Sequence, residues 1–294
     1  MSGASGLDQP YLYKQSVRLG ALFMLCSSLV FSFAGILVKT LSAELPLTMM
    51  VFFRNAGGLL VIVPWMLLQP RFSLRTEHVW SHALRAAAGV TAMYCFFFTI
   101  TRMPLAEAIS LNFTSPLIIP MMGYFLLKEK IPARIGVILG VGFVGVLLIM
   151  KPGAEVFNPA ALVGVISAFF ASFALVNVRK LTRTEPALRV VFYFALLGSL
   201  ITLAPMLFFW QAPTPRQWLM LLGVGFFATG GQYLLTRGYA SGPVGQVGFF
   251  HYSAVIFAGL VDWLIWNEIP DALSLGGVGL ICAAGIFAMQ KKSK

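Results

Sequence analysis

Ten stretches of this 294-residue chain are apolar and long enough to cross a bilayer, and nothing else in the sequence constrains its fold as much. A span needs about 17 to 25 mostly apolar residues. Such runs fall at 18–38, 46–68, 84–101, 104–127, 133–150, 160–178, 187–209, 216–236, 243–266 and 272–289. Short separators rich in proline, glycine or charge stand between them, leaving no room for a soluble domain. Only 11% of residues are charged, against about 25% in an average soluble domain. The first run follows a polar tail and continues past signal-peptide length, so it reads as a membrane helix. The sequence therefore predicts an all-α membrane protein of ten transmembrane helices.

The chain also repeats itself. Met103 to Pro132 reads MPLAEAISLNFTSPLIIPMMGYFLLKEKIP, and Gly242 to Pro270 reads GPVGQVGFFHYSAVIFAGLVDWLIWNEIP. Pro104 corresponds to Pro243 and Glu129 to Glu268, both at an offset of 139 residues. Ser32-Phe33-Ala34 with Lys39 corresponds to Ser172-Phe173-Ala174 with Arg179 at an offset of 140, and Pro46 precedes helix 2 as Pro186 precedes helix 7. Five helices thus repeat as five. An odd number of crossings turns the second half over, which predicts two inverted repeats, residues 17–151 and 157–290, with a substrate site between them. Residues 1–16 form a cytoplasmic tail and 291–294 a basic end.

The net charge of +11 is spread singly through short loops. That is the footprint of a membrane protein, and no nucleic acid is expected as a partner. With a cytoplasmic N-terminus, 16 lysines and arginines fall on the inner side, among them Arg85, Arg179 and Arg189, and four on the outer: Lys39, Arg102, Lys151 and Arg216. Both termini are therefore expected in the cytoplasm of a cell whose inner membrane holds the chain. Cys26, Cys95 and Cys282 lie in apolar runs without ligand spacing, so neither a disulfide nor a metal site is expected. No phosphate-cradling loop, HExxH or GxSxG occurs, and no cofactor or enzymatic activity is expected. A lipid-modifying enzyme is the alternative of a different class.

Ten helices in two five-helix repeats, with PLAEAISLNFTSPLIIPMMGYFLLKEKIP followed by the glycine-rich GVILGVGFVGVLLIMKPG, resemble the EamA branch of the drug/metabolite transporter superfamily. The resemblance covers helix 1 to helix 10 and implies a bacterial inner-membrane carrier. It implies export of amino acids and related metabolites, or uptake of adenosyl-methionine; export of an amino-acid-derived metallophore is a further alternative. Gly245 stands where the first half has Ala106, and Val255 where it has Pro116, so residue roles carry over less directly to helix 9.

An ionisable side chain at bilayer depth costs about 3 kcal/mol or more and so faces a cavity or a partner. Arg54 lies about eight residues into helix 2, where its guanidinium fork suits a carboxylate or phosphate; a buried ion pair is the alternative. Glu107 shares a helical face with Ser110 and Thr114, repeated in helix 9 as Gln246, Phe249 and Ser253. It suits a substrate ammonium or a carried proton, or else pairs with Arg102. Asn112 corresponds to His251, and Tyr94 to Tyr233, beside Gln232. With Tyr252 these complete the predicted substrate-binding set: Arg54, Tyr94, Glu107, Asn112, Gln232, Tyr233, Gln246, His251 and Tyr252. The set suits a small zwitterion with an anion, an ammonium and an apolar body. The glycines of helices 5 and 10 suit close helix packing, either within each half or in a homodimer.

The topology is tested by cysteines placed in the 152–158 loop. They are expected to react with an impermeant thiol reagent on intact cells; labelling only after lysis would reverse the orientation.

Overall fold

The computed structural model describes residues 15–68, 73–102, 111–112, 114–128, 133–150, 159–254, 256–257, 260, 264 and 272–289. These form helices α1 (Val17–Leu41), α2 (Leu47–Leu67), α3 (Val79–Arg102), α4 (Ser115–Leu127), α5 (Ala133–Met150), α6 (Pro159–Leu181), α7 (Ala187–Phe208), α8 (Pro215–Ala240), α9 (Val244–Val247) and α10 (Ala272–Met289). Five of them, α1, α2, α6, α7 and α8, are long and apolar enough to cross a membrane. No strand occurs among the described residues.

Prolines and short polar side chains set the boundaries. Pro46 and Pro186 occupy the N-caps of α2 and α7 in extended conformation, and Thr214 with Gln217 forms a capping box at α8. Helices α1, α6 and α8 run three or four residues past the ends read from the sequence, and three further differences change the reading. Helix α3 begins five residues early, at Val79, which adds a turn holding His82 ahead of the run read from 84. The run at 243–266 is not one helix: after α9 the chain tightens into a 3₁₀ turn, Gly248–Tyr252. The run at 104–127 is interrupted at Thr114, a turn residue ahead of α4. Both interruptions are fastened alike, since the Thr114 hydroxyl donates to Leu111 O at 2.7 Å and the Ser253 hydroxyl to Phe250 O at 2.6 Å. Side chains read as part of a substrate-facing arc thus bond to their own backbone.

The sequence repeat recurs as repeated local structure. After α1, the amides of Ser42 and Leu45 donate to Val38 O and Leu41 O at 2.9 Å; after α6, those of Thr182 and Glu185 donate to Val178 O and Leu181 O at the same distance. Packing follows a matching scheme: α1 lies on α8 as α6 lies on α3, α2 lies on α7, and α5 lies on α10. The ends are fixed by polar contacts. Glu44, beyond α1, accepts from Gln217 Nε2 at the start of α8 at 2.7 Å. Arg179, near the end of α6, donates to Tyr239 O and Ala240 O at the other end of α8, at 3.0 and 2.9 Å. Glycines allow the closest approaches. A Cβ on Gly225 of α8 would lie 2.8 Å from the backbone of Gly57 in α2, so these two helices touch main chain to main chain. On α5, Gly142 makes room for Phe249, whereas a Cβ on Gly136 or Gly140 would meet nothing.

A polar clasp joins α3 to the α6–α7 turn. His82 Nε2 lies 2.6 Å from Glu185 Oε2, both side chains are buried, and the Thr76 hydroxyl donates to the other carboxylate oxygen. The His82 ring stacks on Tyr193, whose hydroxyl donates to Leu74 O at 2.8 Å, and Arg189 Nε donates to Ser73 O at 2.8 Å. Burial alone would push the Glu185 carboxyl up; the hydrogen bonds from His82 and Thr76, with Arg189 nearby, outweigh it and hold the carboxyl below its usual range. A depressed carboxyl stabilises the fold above its unfolded pKa, and that stabilisation is lost as pH falls through the folded value. Glu185→Gln is therefore expected to cost about 2 kcal/mol at neutral pH. The gap from wild type should close as pH falls through the depressed value of the folded carboxyl, as read by thermal unfolding in detergent. Equal stability of the two proteins at neutral pH would remove the clasp from the account.

Candidate functional site

The site is built where α2, α7 and α8 meet. In α2 the sequence Arg54-Asn55-Ala56-Gly57-Gly58 places a cation one turn before the two glycines that admit α8. A Cβ on Gly58 would come within 2.4 Å of Thr229 Oγ1, and one on Gly198 of α7 within 2.9 Å of Asn55 Oδ1. Small residues on three helices thus draw polar groups around a narrow cleft. Its walls are Arg54 and Asn55 from α2, Val191, Phe194 and Ala195 from α7, and Ala228, Thr229 and Gln232 from α8. As folded, it has room for about one water molecule, so a metabolite enters only if the helices part.

Arg54 lies about 10 Å along α2 at 1.5 Å per residue, with its guanidinium 5.9 Å from the centroid of the Phe194 ring. A second cation shares that ring. Arg85 of α3 is 3% exposed and holds its guanidinium 3.5 Å from the same centroid. Among the described residues neither arginine has an acid in ion-pair range, and Arg85 Nε and Nη1 are buried without a hydrogen-bond partner. Burying an ion costs several kcal/mol after relaxation, whereas a desolvated cation–π contact returns about 2 kcal/mol. The balance favours an anion. Gln232 Nε2 is a further buried donor without a partner. Asn55 is already committed, donating through Nδ2 to Val51 O at 2.9 Å.

Of the residues predicted for the site, the structure brings Arg54 and Gln232 together. Glu107 lies outside the described residues. Tyr94 of α3 is half-buried and its hydroxyl has no hydrogen-bond partner among the described residues, but it forms no part of the cleft wall. Tyr233, next to Gln232, turns away: its ring packs edge-on against Trp65 at 4.5 Å and its hydroxyl accepts from Arg237 Nη1 at 3.0 Å. Asn112 is half-buried beside Leu111, which packs over Gly164 of α6. Gln246, His251 and Tyr252 fall on α9 and the 3₁₀ turn, away from the cleft wall, because the turn packs Phe249 and Tyr252 over Gly142 of α5. Sequence reasoning missed Arg85, Phe194 and Thr229. One signal for Arg85 was present: His82, Arg85 and Ala92 recur at helical spacing, and all three are buried.

The inventory is that of a binding site: guanidinium and amide donors beside an aromatic ring. Among the described residues no group of three or more His, Cys, Asp or Glu side chains is placed to hold a metal.

Comparison with known proteins gives the same class. The chain is 33% identical over 278 residues to the pseudopaline exporter of Pseudomonas aeruginosa, covering 94% of this chain and 98% of that protein. It is 30% identical over 281 residues to a riboflavin transporter of Vibrio cholerae, covering 94% of each. It is 25% identical over 281 residues to an S-adenosylmethionine uptake transporter of Rickettsia bellii, covering 95% of this chain and 96% of that one. A crystal structure of a protein 21% identical in sequence superposes with a TM-score of 0.79 over 93% of this chain and 98% of its own, and shows the shared fold. The model of the EamA-like transporter family matches residues 18–151 and again 158–290. With both halves matched, the chain belongs to the EamA-like transporter family, a family of multi-pass membrane transporters.

Proposed function

We propose that the chain is a secondary carrier that exports a small amino-acid-derived metabolite, docking a substrate carboxylate on Arg54 and moving it by alternating access. The observation that carries this is a deep guanidinium, with no counter-ion among the described residues, on the wall of a cleft among α2, α7 and α8. An arginine offers a planar fork matched to carboxylate geometry. Alternating access draws support from the repeated turns after α1 and α6 and from the matching helix pairings. Glu44 and Arg179 support inversion, because they tie the ends of α1 and α6 to opposite ends of α8. Two units related in this way rock about a central site.

Export is supported by the relative named as an exporter, 33% identical over nearly its whole length. Relatives named for uptake of S-adenosylmethionine support the opposite direction. Their cargo carries a sulfonium cation beside its carboxylate, however, and two arginines with no acid in range among the described residues disfavour that added positive charge. A substrate ammonium is assigned to Glu107, which makes the cargo a zwitterion. An inner-membrane location with cytoplasmic termini completes the proposal.

The test is a counterflow screen of labelled amino acids and their derivatives in proteoliposomes. For a compound so identified, Arg54→Ala is expected to reduce transport about 100-fold or more with folding retained, as judged by a monodisperse gel-filtration peak. Glu107→Gln is expected to shift the pH dependence more than the affinity. Full transport by Arg54→Ala, or equal transport of analogues lacking the carboxylate, would overturn the reading.

A further inference from the structure

The second arginine says more about the cargo. We infer that the site is built for a substrate with two separate carboxylates, the first held by Arg54 and the second by Arg85, which leaves the face of Phe194 to meet it. This rests on the carrier reading above and narrows its substrate class.

The geometry begins with two cations from different helices converging on one ring, Arg54 of α2 at 5.9 Å and Arg85 of α3 at 3.5 Å from the Phe194 centroid. Like charges brought together in a low dielectric repel, and no acid among the described residues offsets them. Glu185, which reaches α3 from the α6–α7 turn, is already held by His82 and Thr76. Gly89 is part of the arrangement. A Cβ there would lie 2.9 Å from Phe194 Cε2 and 3.3 Å from Arg85 Nη1, so this position leaves room for the ring and the guanidinium together. The polar atoms of Arg85 and Gln232 that are buried without a partner among the described residues are all donors: Arg85 Nε, Arg85 Nη1 and Gln232 Nε2. Donors alone select a ligand rich in acceptors.

One carboxylate satisfies one guanidinium fork and leaves the other cation bare. A second carboxylate neutralises the pair. The two guanidiniums reach the ring of Phe194 from different helices, α2 and α3, so two carboxylates on a carbon chain can take one fork each, whereas a single phosphate gathers its charge at one point. Phe194 therefore holds Arg85 by a contact that a fully charged partner can displace.

The test uses the purified full chain in nanodiscs and calorimetric binding of three probes: L-glutamine with one carboxylate, L-glutamate with two, and inorganic phosphate. Wild type is expected to bind glutamate about tenfold more tightly than glutamine, and phosphate more weakly than glutamate. In Arg85→Gln the preference should fall to about one while glutamine binding is retained. Arg85→Lys, which keeps the charge and loses the fork, should keep part of the preference, a graded rescue that a packing role for Arg85 would not give. Glutamine bound as tightly as glutamate by wild type, an unchanged preference in Arg85→Gln, or tighter binding of phosphate would each overturn this inference and leave the carrier reading standing. Failure of wild type to bind either amino acid would overturn the amino-acid carboxylate reading under Proposed function, and this inference with it.

Discussion

The close approach of α2 to α8 at Gly57 and Gly225 is the constraint on which the rest of the site depends. In a bilayer, lipid tails are as apolar as leucine, so helices associate through close packing and polar contacts and not through escape from water. Two facing glycines bring the main chains together, and Gly58 and Gly198 extend that closeness to Thr229 and Asn55. Larger side chains at these positions would force the three helices apart. The cleft is narrow because its walls are small, and polar groups line it because the glycines let them reach one another.

Within that frame the arginines stand out as an unbalanced cost. The chain elsewhere answers its buried charges: Glu185 has His82 and Thr76, and Arg179 has the carbonyls that end α8. Arg54 and Arg85 have a ring and no acid among the described residues. Arg85 Nε, Arg85 Nη1 and Gln232 Nε2 are buried donors without a partner among the described residues, and a ligand's acceptors would meet them there. The polar contacts at the ends suit a carrier as well, because Glu44 with Gln217 and Glu185 with His82 tie helix ends that an opening cleft would have to release.

Much of the fold was legible in the sequence, for a reason visible at particular residues. Helices α2, α5, α7 and α10 fall within a residue or so of the apolar runs because Pro46, Pro132, Pro186 and Pro270 stand at their starts and punctuate the chain. Helix α3 was drawn short because its first turn carries Ser81 and His82, and polar residues ahead of an apolar run read as a loop. The break at 248–252 was invisible because hydropathy does not distinguish an α-helical from a 3₁₀ hydrogen-bond pattern. For the site, depth alone identified Arg54, and adjacency to the repeated tyrosine identified Gln232. Tyr94, Gln246 and His251 were placed by the repeat and Tyr252 by its neighbours, yet which way a side chain points on a nearly all-apolar helix leaves little trace in its pattern.

The central claim, that the cleft among α2, α7 and α8 is a cationic site that opens to solvent, is tested most directly without knowing the substrate. A single cysteine replacing Thr229 in a chain otherwise free of cysteine puts a thiol on the cleft wall. Its modification rates by thiosulfonate reagents of similar size and opposite charge report the local potential. The account predicts that the anionic reagent reacts about tenfold faster or more than the cationic one, and that Arg54→Gln narrows the ratio. Equal rates, a faster cationic reagent, or no reaction from either side of the membrane would contradict it.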